Sequence, residues 1–177
     1  LQLELPALHS ALCVDLLHRL LDAVRLVLPR GCLGTGDLGD EAYRFVDFLA
    51  DAGCSVWQVL PLVPANEESR SPYDALSAMA GNPELISRAH QSADHLEDPS
   101  ALDEQQESAF TSWCAEQGGW LDPYVEFTAL RGLHGLARWP TWAPALRDRD
   151  PRSVGGALRP LADRVRDLRF EQWVFAV

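Results

Sequence analysis

Nine consecutive residues, Cys54-Ser55-Val56-Trp57-Gln58-Val59-Leu60-Pro61-Leu62, narrow the fold more than any other feature of the chain. The run is short, β-branched and nearly continuous in apolar side chains. That is the pattern of a strand buried on both faces of a parallel sheet. The residues before it fit the same architecture. Val24-Arg25-Leu26-Val27-Leu28 alternates and reads as a short strand stopped by Pro29. A glycine-rich turn over residues 31–39 follows. Asp40 then reads as the cap of a helix carrying Ala42, Phe45, Val46 and Leu49 on one face. Gly53 supplies the positive φ that ends such a helix. Strand, turn, helix, glycine and buried strand make a βαβ-like unit, so the expected class is α/β.

The flanking segments read differently. Ser10 can cap a helix over residues 11–23, with Leu12, Leu16 and Leu20 on one stripe. Residues 88–102 are polar and read as a linker or exposed insertion. From residue 103 onward the pattern is helical. One helix is expected to end at Gly118-Gly119. Another opens with Asp122 as cap and Pro123 in its first position, and ends near Gly135. A short helix starts at Thr141. The last runs from about Ala157, with Leu158, Leu161, Val165 and Leu168 on one face. The chain starts without Met and stops on Trp173-Val174-Phe175-Ala176-Val177 with no cap or polar tail, which reads as a piece cut from a longer frame. Its 177 residues suffice for one core, whereas a whole (β/α)8 barrel takes about 250.

Charge and composition exclude several functions. All fifteen cations are Arg, set against 26 acids, for a net charge of −11. A chain this acidic, without a basic block, is a poor ligand for nucleic acid. No apolar run is long enough to span a membrane, and residues 1–6, without a basic start or a cleavable apolar run, do not read as a signal peptide. Cys13, Cys32, Cys54 and Cys114 lack zinc-ribbon spacing and read as free thiols of a reducing, cytoplasmic protein. His9, His18, His90, His95 and His134 are scattered, so no metal site is expected. There is no G-x-S-x-G elbow and no Cys-His pair. Gly34-Thr35-Gly36-Asp37-Leu38-Gly39 spells G-x-G-x-x-G. It lies five residues past the strand, has no ribose-binding carboxylate on the next strand, and carries Asp37 and Asp40 where phosphate would sit. A structural turn, with Asp37 capping it, is the better reading. Asp40, Glu41, Asp47 and Asp51 read as a cap and a solvated helix face rather than a catalytic pair.

Aromatic residues point more directly to chemistry. Six tryptophans (Trp57, Trp113, Trp120, Trp139, Trp142, Trp173) offer flat faces suited to sugar rings, although each is read first as core. Tyr73 differs, because it follows the apolar run on the loop at its C-terminal end, the edge that carries function in parallel α/β folds. Pro72 preorganises the residue before it. The alternative is a tyrosine tethering its own loop.

Taken in order, these residues resemble one family, the 4-alpha-glucanotransferases, or amylomaltases. The resemblance rests on Gly34-x-Gly36-Asp37-Leu38-Gly39, Ala42-Tyr43-Arg44-Phe45-Val46-Asp47-Phe48-Leu49, Ala52-Gly53 and Trp57-Gln58-Val59-Leu60-Pro61-Leu62. It continues through Ser71-Pro72-Tyr73, Ser77-Ala78-Met79-Ala80-Gly81-Asn82-Pro83, Leu85-Ile86, Trp120-Leu121-Asp122-x-Tyr124, Ala129-Leu130, Trp139-Pro140 and Phe170-x-Gln172-Trp173. The resemblance implies the N-terminal part of a (β/α)8 barrel with a largely helical insertion. Residues 1–23 would be an N-terminal helical extension, 24–83 the start of the barrel with its substrate loop, and 84–177 the insertion. It implies transfer of α-1,4-glucan segments between maltodextrins with retained configuration, without metal or organic cofactor. Tyr73 and Ser71 match loop residues that contact the glucan. The family's catalytic Asp, Glu and second Asp lie on later strands, so no catalytic residue falls in this chain, which alone should be inactive. Retaining chemistry needs two carboxyls about 5 to 5.5 Å apart. A non-catalytic maltodextrin-binding module of the same fold is the alternative. One departure stands out: Glu67-Glu68-Ser69-Arg70 replaces a Gly-Tyr-Gly-Asp run common before Ser-Pro-Tyr. It removes an aromatic and replaces an acid with Arg70.

Overall fold

A computed structural model describes residues 37–66 and 71–177. The expected helix over 11–23, the strand over 24–28, the first part of the glycine turn, Cys13, Cys32 and the Glu67 to Arg70 departure lie outside the described residues. The chain divides into two compact units, Leu1–Val59 and Leu60–Val177.

In the first unit, helix α1 spans Asp40–Asp51. Gly39, not Asp40, is its N-cap. Asp37 Oδ1 accepts from the Gly39 N–H at 3.1 Å, so the turn is capped one step earlier and Asp40 joins Glu41 in the first turn. Both acids there favour the positive end of the helix dipole. Ala42 and Phe45 are buried, while Val46 of the expected face is exposed. Phe45 meets Trp57 edge-on at 5.0 Å. The helix ends as expected at Gly53, with φ +77°. The Cys54 N–H donates to Leu49 O at 2.8 Å and the Gly53 N–H to Ala50 O at 2.9 Å. Those two bonds are the Schellman pattern, which needs a left-handed residue where Gly53 stands.

The buried strand expected over 54–62 is not observed. Those residues form neither helix nor strand, and all are exposed; Val56 is 82% and Leu60 60% accessible. No strand occurs among the described residues. A strand is completed by a neighbour that takes its backbone hydrogen bonds in a ladder, and the described residues bond this run only at its two ends, Leu49 O at Cys54 and the Asn82 N–H at Leu62.

The second unit is helical. Helix α2 spans Arg88–Ala93, α3 Glu104–Leu133, α4 Pro144–Arg147, α5 Pro151–Leu158 and α6 Ala162–Ala176. Short 3-10 turns cover Pro72–Asp74, Pro83–Leu85, Trp139–Thr141 and Arg159–Leu161. The polar stretch 88–102 is therefore partly ordered: it contains α2, and Leu96 is buried. The short helix expected to start at Thr141 is not observed there: Thr141 ends the 3-10 turn Trp139–Thr141, and α4 begins at Pro144. The last helical run is divided by the 3-10 turn around Pro160.

Helix α3 corrects the largest misreading. It runs unbroken through Gly118, Gly119 and Pro123, where two helices were expected. A capping box starts it: Asp103 Oδ1 accepts from the Gln106 N–H at 2.8 Å and Gln106 Oε1 from the Asp103 N–H at 3.0 Å. A second Schellman pair ends it at Gly135, φ +60°. Two interior glycines cost about 1 kcal/mol each and a proline about 3. Against that, Phe110, Leu121, Val125, Ala129 and Leu130 are buried along the helix, Leu121 and Val125 to 0% exposure. Burying each large apolar side chain is worth about 1.5 to 3 kcal/mol. Packing on both sides of Pro123 therefore outweighs local propensity.

Helix α6 runs back along α3. Phe170, Trp173 and Val174 pack with Phe110 and Leu96, while Leu168 packs with Leu121, Val125 and Ala129. Leu158, Leu161 and Val165 border that second cluster, as their spacing predicts. Two arginines fasten the pair. Arg166 makes a fork onto Glu107 at 2.7 and 3.1 Å, donates to Pro99 O, and stands 5.1 Å over the Phe110 ring. Arg169 reaches Asp122 at 2.7 Å.

Candidate functional site

The loop over 71–82 carries the residues singled out as substrate contacts. Pro72 biases Ser71 toward extended backbone, and Ser71 has φ −98°, ψ 128°. Ser71 Oγ accepts from the Tyr73 N–H at 3.3 Å, and the Asp74 N–H donates to Ser71 O at 3.2 Å. The hydroxyl thus caps the 3-10 turn that presents Tyr73. The Tyr73 ring is 75% exposed. It packs on no aromatic neighbour among the described residues. Ser77 Oγ accepts from the Met79 and Ala80 N–H groups at 3.1 Å each, and Asn82 Oδ1 from the Glu84 N–H at 3.1 Å. The loop is a succession of short side-chain caps with little apolar burial of its own.

Its far end is anchored differently. Gln172 on α6 is 2% exposed. Its Oε1 accepts from the Gly81 N–H at 2.8 Å, and its Nε2 donates to Gly81 O at 3.0 Å. One side-chain amide thus pairs with both polar groups of one backbone residue. The Phe175 ring lies where a side chain would begin: a Cβ on Gly81 would overlap Phe175 Cδ1. The neighbouring Asn82 N–H donates to Leu62 O at 2.9 Å. Leu62, Met79, Gly81, Trp113, Trp120 and Phe175 border a cavity of about 250 Å³ at this junction. The structure therefore brings together two sequence motifs, Ser77 to Pro83 and Phe170 to Trp173. The partnership of Gly81 and Gln172 was not read from sequence. Its one signal was a lone amide among Phe170, Trp173 and Val174.

The other candidates sort clearly. Trp142 and Trp173 are buried, with Trp142 between Phe127 and His134 at 5.6 and 4.9 Å. Trp113 and Trp120 are half-buried and meet edge-on at 6.3 Å. Trp57 and Trp139 are exposed. Burial pushes the Cys114 thiol up, opposed by nearby Arg169, which suits an inert packing thiol rather than a nucleophile. The Tyr124 hydroxyl is likewise raised by burial. His90 and His95 lie in a short helix and the turn after it, and no cluster of metal-ligating side chains occurs among the described residues. No described helix is long and apolar enough to cross a membrane.

A family model described as 4-alpha-glucanotransferase matches residues 27–102 and 88–177. The chain belongs to the 4-alpha-glucanotransferase family. It is similar to the 4-alpha-glucanotransferase of Thermus thermophilus, with 35% identity over 82% of this chain and 35% of that protein. Another relative, from Synechocystis, is 32% identical over 79% of this chain and 36% of its own length. Over 58 residues, a third of this chain, identity to a chloroplastic/amyloplastic 4-alpha-glucanotransferase of Arabidopsis thaliana reaches 60%. Among solved structures, an amylomaltase from Streptococcus agalactiae in complex with acarbose shares the fold at TM-score 0.75 and 22% identity, covering 85% of this chain and 37% of that one. The chain spans about a third of the length of these broadly matching relatives.

Proposed function

We propose that these residues form part of an enzyme that transfers α-1,4-glucan segments between maltodextrins by a retaining double displacement, and that Tyr73 lines its sugar cleft. One observation carries the reading: the Tyr73 ring is held out on a capped turn, 75% exposed, in a chain of 4-alpha-glucanotransferase ancestry. A phenol offers a flat apolar face for the C–H surface of a glucose ring and one hydroxyl for its polar edge. Ser71, at the start of the same turn, is the second substrate contact. The acarbose complex of the structural neighbour supports an α-glucan as ligand.

The apolar run 54–62 is read as an early strand of a (β/α)8 barrel, residues 1–23 as a helical extension, 24–83 as the start of the barrel, and 84–177 as the helical insertion. Exposed Val56, Val59 and Leu60 favour this, because such a run is stable only when neighbouring strands cover it. The catalytic carboxylates belong to later strands, so this chain alone is expected to be inactive. We place the enzyme in the cytoplasm.

The test uses protein expressed from the whole reading frame that holds this chain. Tyr73→Phe should lower maltotriose disproportionation while leaving the melting temperature in place; unchanged kinetics would remove Tyr73 from the cleft. Because the motifs present carry substrate contacts and no catalytic carboxylate, a second reading stands beside the first: a maltodextrin-binding module without turnover. Saturable maltotriose binding with no disproportionation by the whole-frame protein would establish that alternative.

A further inference from the structure

We infer that Gln172 is the positioning residue of the glucan-contacting loop, acting through Gly81 to fix where Tyr73 stands. This rests on the reading of Tyr73 as a sugar contact. Between Tyr73 and Gly81 the loop is held by local caps, and Tyr73 and Met79 are well exposed. Such caps set the shape of a loop but not its place on the molecule. Place comes from attachment to the core, and the amide of Gln172 supplies it.

Three features separate this contact from an ordinary buried amide. Gln172 spends both its acceptor and its donor on one residue, 91 positions away in sequence. A side-chain amide paired with a peptide N–H and C=O copies the bonding of a strand neighbour, and it leaves neither Gly81 group unsatisfied in a buried place. Gly81 also has no room for a side chain, since Phe175, one turn further along α6, already fills that space. Finally, the adjoining Asn82 N–H is tied to Leu62 O, at the end of the apolar run. Helix α6, the loop's far end and Leu62 therefore meet at one point. A shift of the Gln172 amide moves the base of the loop beside buried Ala80, and Tyr73 is eight residues back along the same capped segment.

The experiment is a double-mutant cycle in whole-frame protein, reading KM and kcat for maltotriose disproportionation. Gln172→Met keeps the side chain's length and removes both hydrogen bonds. Gln172→Glu keeps the acceptor for the Gly81 N–H and loses the donor to Gly81 O, and it serves if the methionine variant does not fold. Either should raise KM about fivefold to tenfold, the effect of losing about one neutral hydrogen bond between a displaced Tyr73 and the sugar, with kcat within about twofold, since ground-state and transition-state binding suffer alike. Tyr73→Ala should raise KM too, and combining it with either Gln172 change should add little more, because both act on one contact. Hydrogen exchange at the Gly81 amide should accelerate in the Gln172 variants. Val125→Ala is the control: it lowers stability through the core and should leave KM in place. Additive effects of Gln172 and Tyr73, or an unchanged KM in the Gln172 variants, overturn the positioning role. An unchanged KM in Tyr73→Ala overturns the sugar-contact reading itself, and the positioning role with it. The two failures thus have different signatures.

Discussion

Gly53 and Gly81 each resist a side chain, for unlike reasons. Gly53 has open space around it; its constraint is the φ of +77° that lets the Cys54 and Gly53 N–H groups turn back onto α1. Gly53→Ala should therefore cost about 1 kcal/mol, the penalty for a Cβ in left-handed backbone, read as a lower urea midpoint without loss of fold. Gly81 needs no unusual backbone. Its constraint is Phe175, whose ring occupies the place of a Cβ. Gly81→Ala must displace that ring or the loop, at about 1 to 3 kcal/mol for overpacking, and should also raise KM, because the Gln172 contact shifts with it. A Gly81→Ala protein with unaltered stability would mean the cradle yields easily. Gly53 was legible as a stop because it follows a periodic helix. Gly81 was legible only as part of a turn, since its neighbour lies 94 residues further on and nothing local records that approach.

At the scale of elements, legibility followed how local the deciding force was. Helix α1, with Gly53 as its stop, and the apolar face over Leu158, Leu161, Val165 and Leu168 were readable from spacing. Helix α3 was not, because Gly118-Gly119 and Pro123 are local stop signals that burial of Leu121 and Val125 overrides. The apolar run 54–62 has the side chains of a buried strand but no strand state among the described residues, because strand state depends on a partner outside the run. The candidate site divides in the same way. Tyr73 stood out through its place in the loop, whereas Gln172 is one amide in an apolar turn and is recognisable only once α6 meets Gly81. Two substitutions test the account of α3. Gly119 is exposed and has open space where a Cβ would go. Gly119→Ala should stabilise by about 0.5 to 1 kcal/mol, the helix-propensity difference. Leu121→Ala should destabilise by about 2 to 5 kcal/mol, since the site is fully buried beside Leu168 and would be left as a cavity. Chemical denaturation reads both. If Gly119→Ala lowers stability instead, the propensity account of α3 fails at this position.

For the molecule as a whole, charge sets the response to acid. The chain carries a net −11, and several of its carboxylates are held by partners. Hydrogen bonds from Arg166 keep the Glu107 carboxyl below its ordinary value of 4.5, with burial opposing. Arg147 does the same for Asp148, and the Ser153 hydroxyl and backbone hold Asp150 down. A carboxyl whose pKa is lower folded than unfolded adds stability above its unfolded value, and that stability is lost as pH falls through the folded value. Relief of like-charge repulsion acts the other way, because protonation brings −11 toward zero. The two cannot be separated in a single acid titration of one protein. They separate in a difference. Arg166→Gln leaves nearly all of the net charge in place but removes the fork on Glu107. The variant should be less stable than the parent at about pH 7, and the gap should narrow as pH falls below about 4.5, since protonated Glu107 no longer distinguishes the two proteins. Urea midpoints of both, from about pH 7 to about pH 3, measure that gap. A gap that stays constant across the range would show that Arg166 holds α6 through Pro99 O, in the segment before α3, and through the face of Phe110 on α3 rather than through the Glu107 carboxylate.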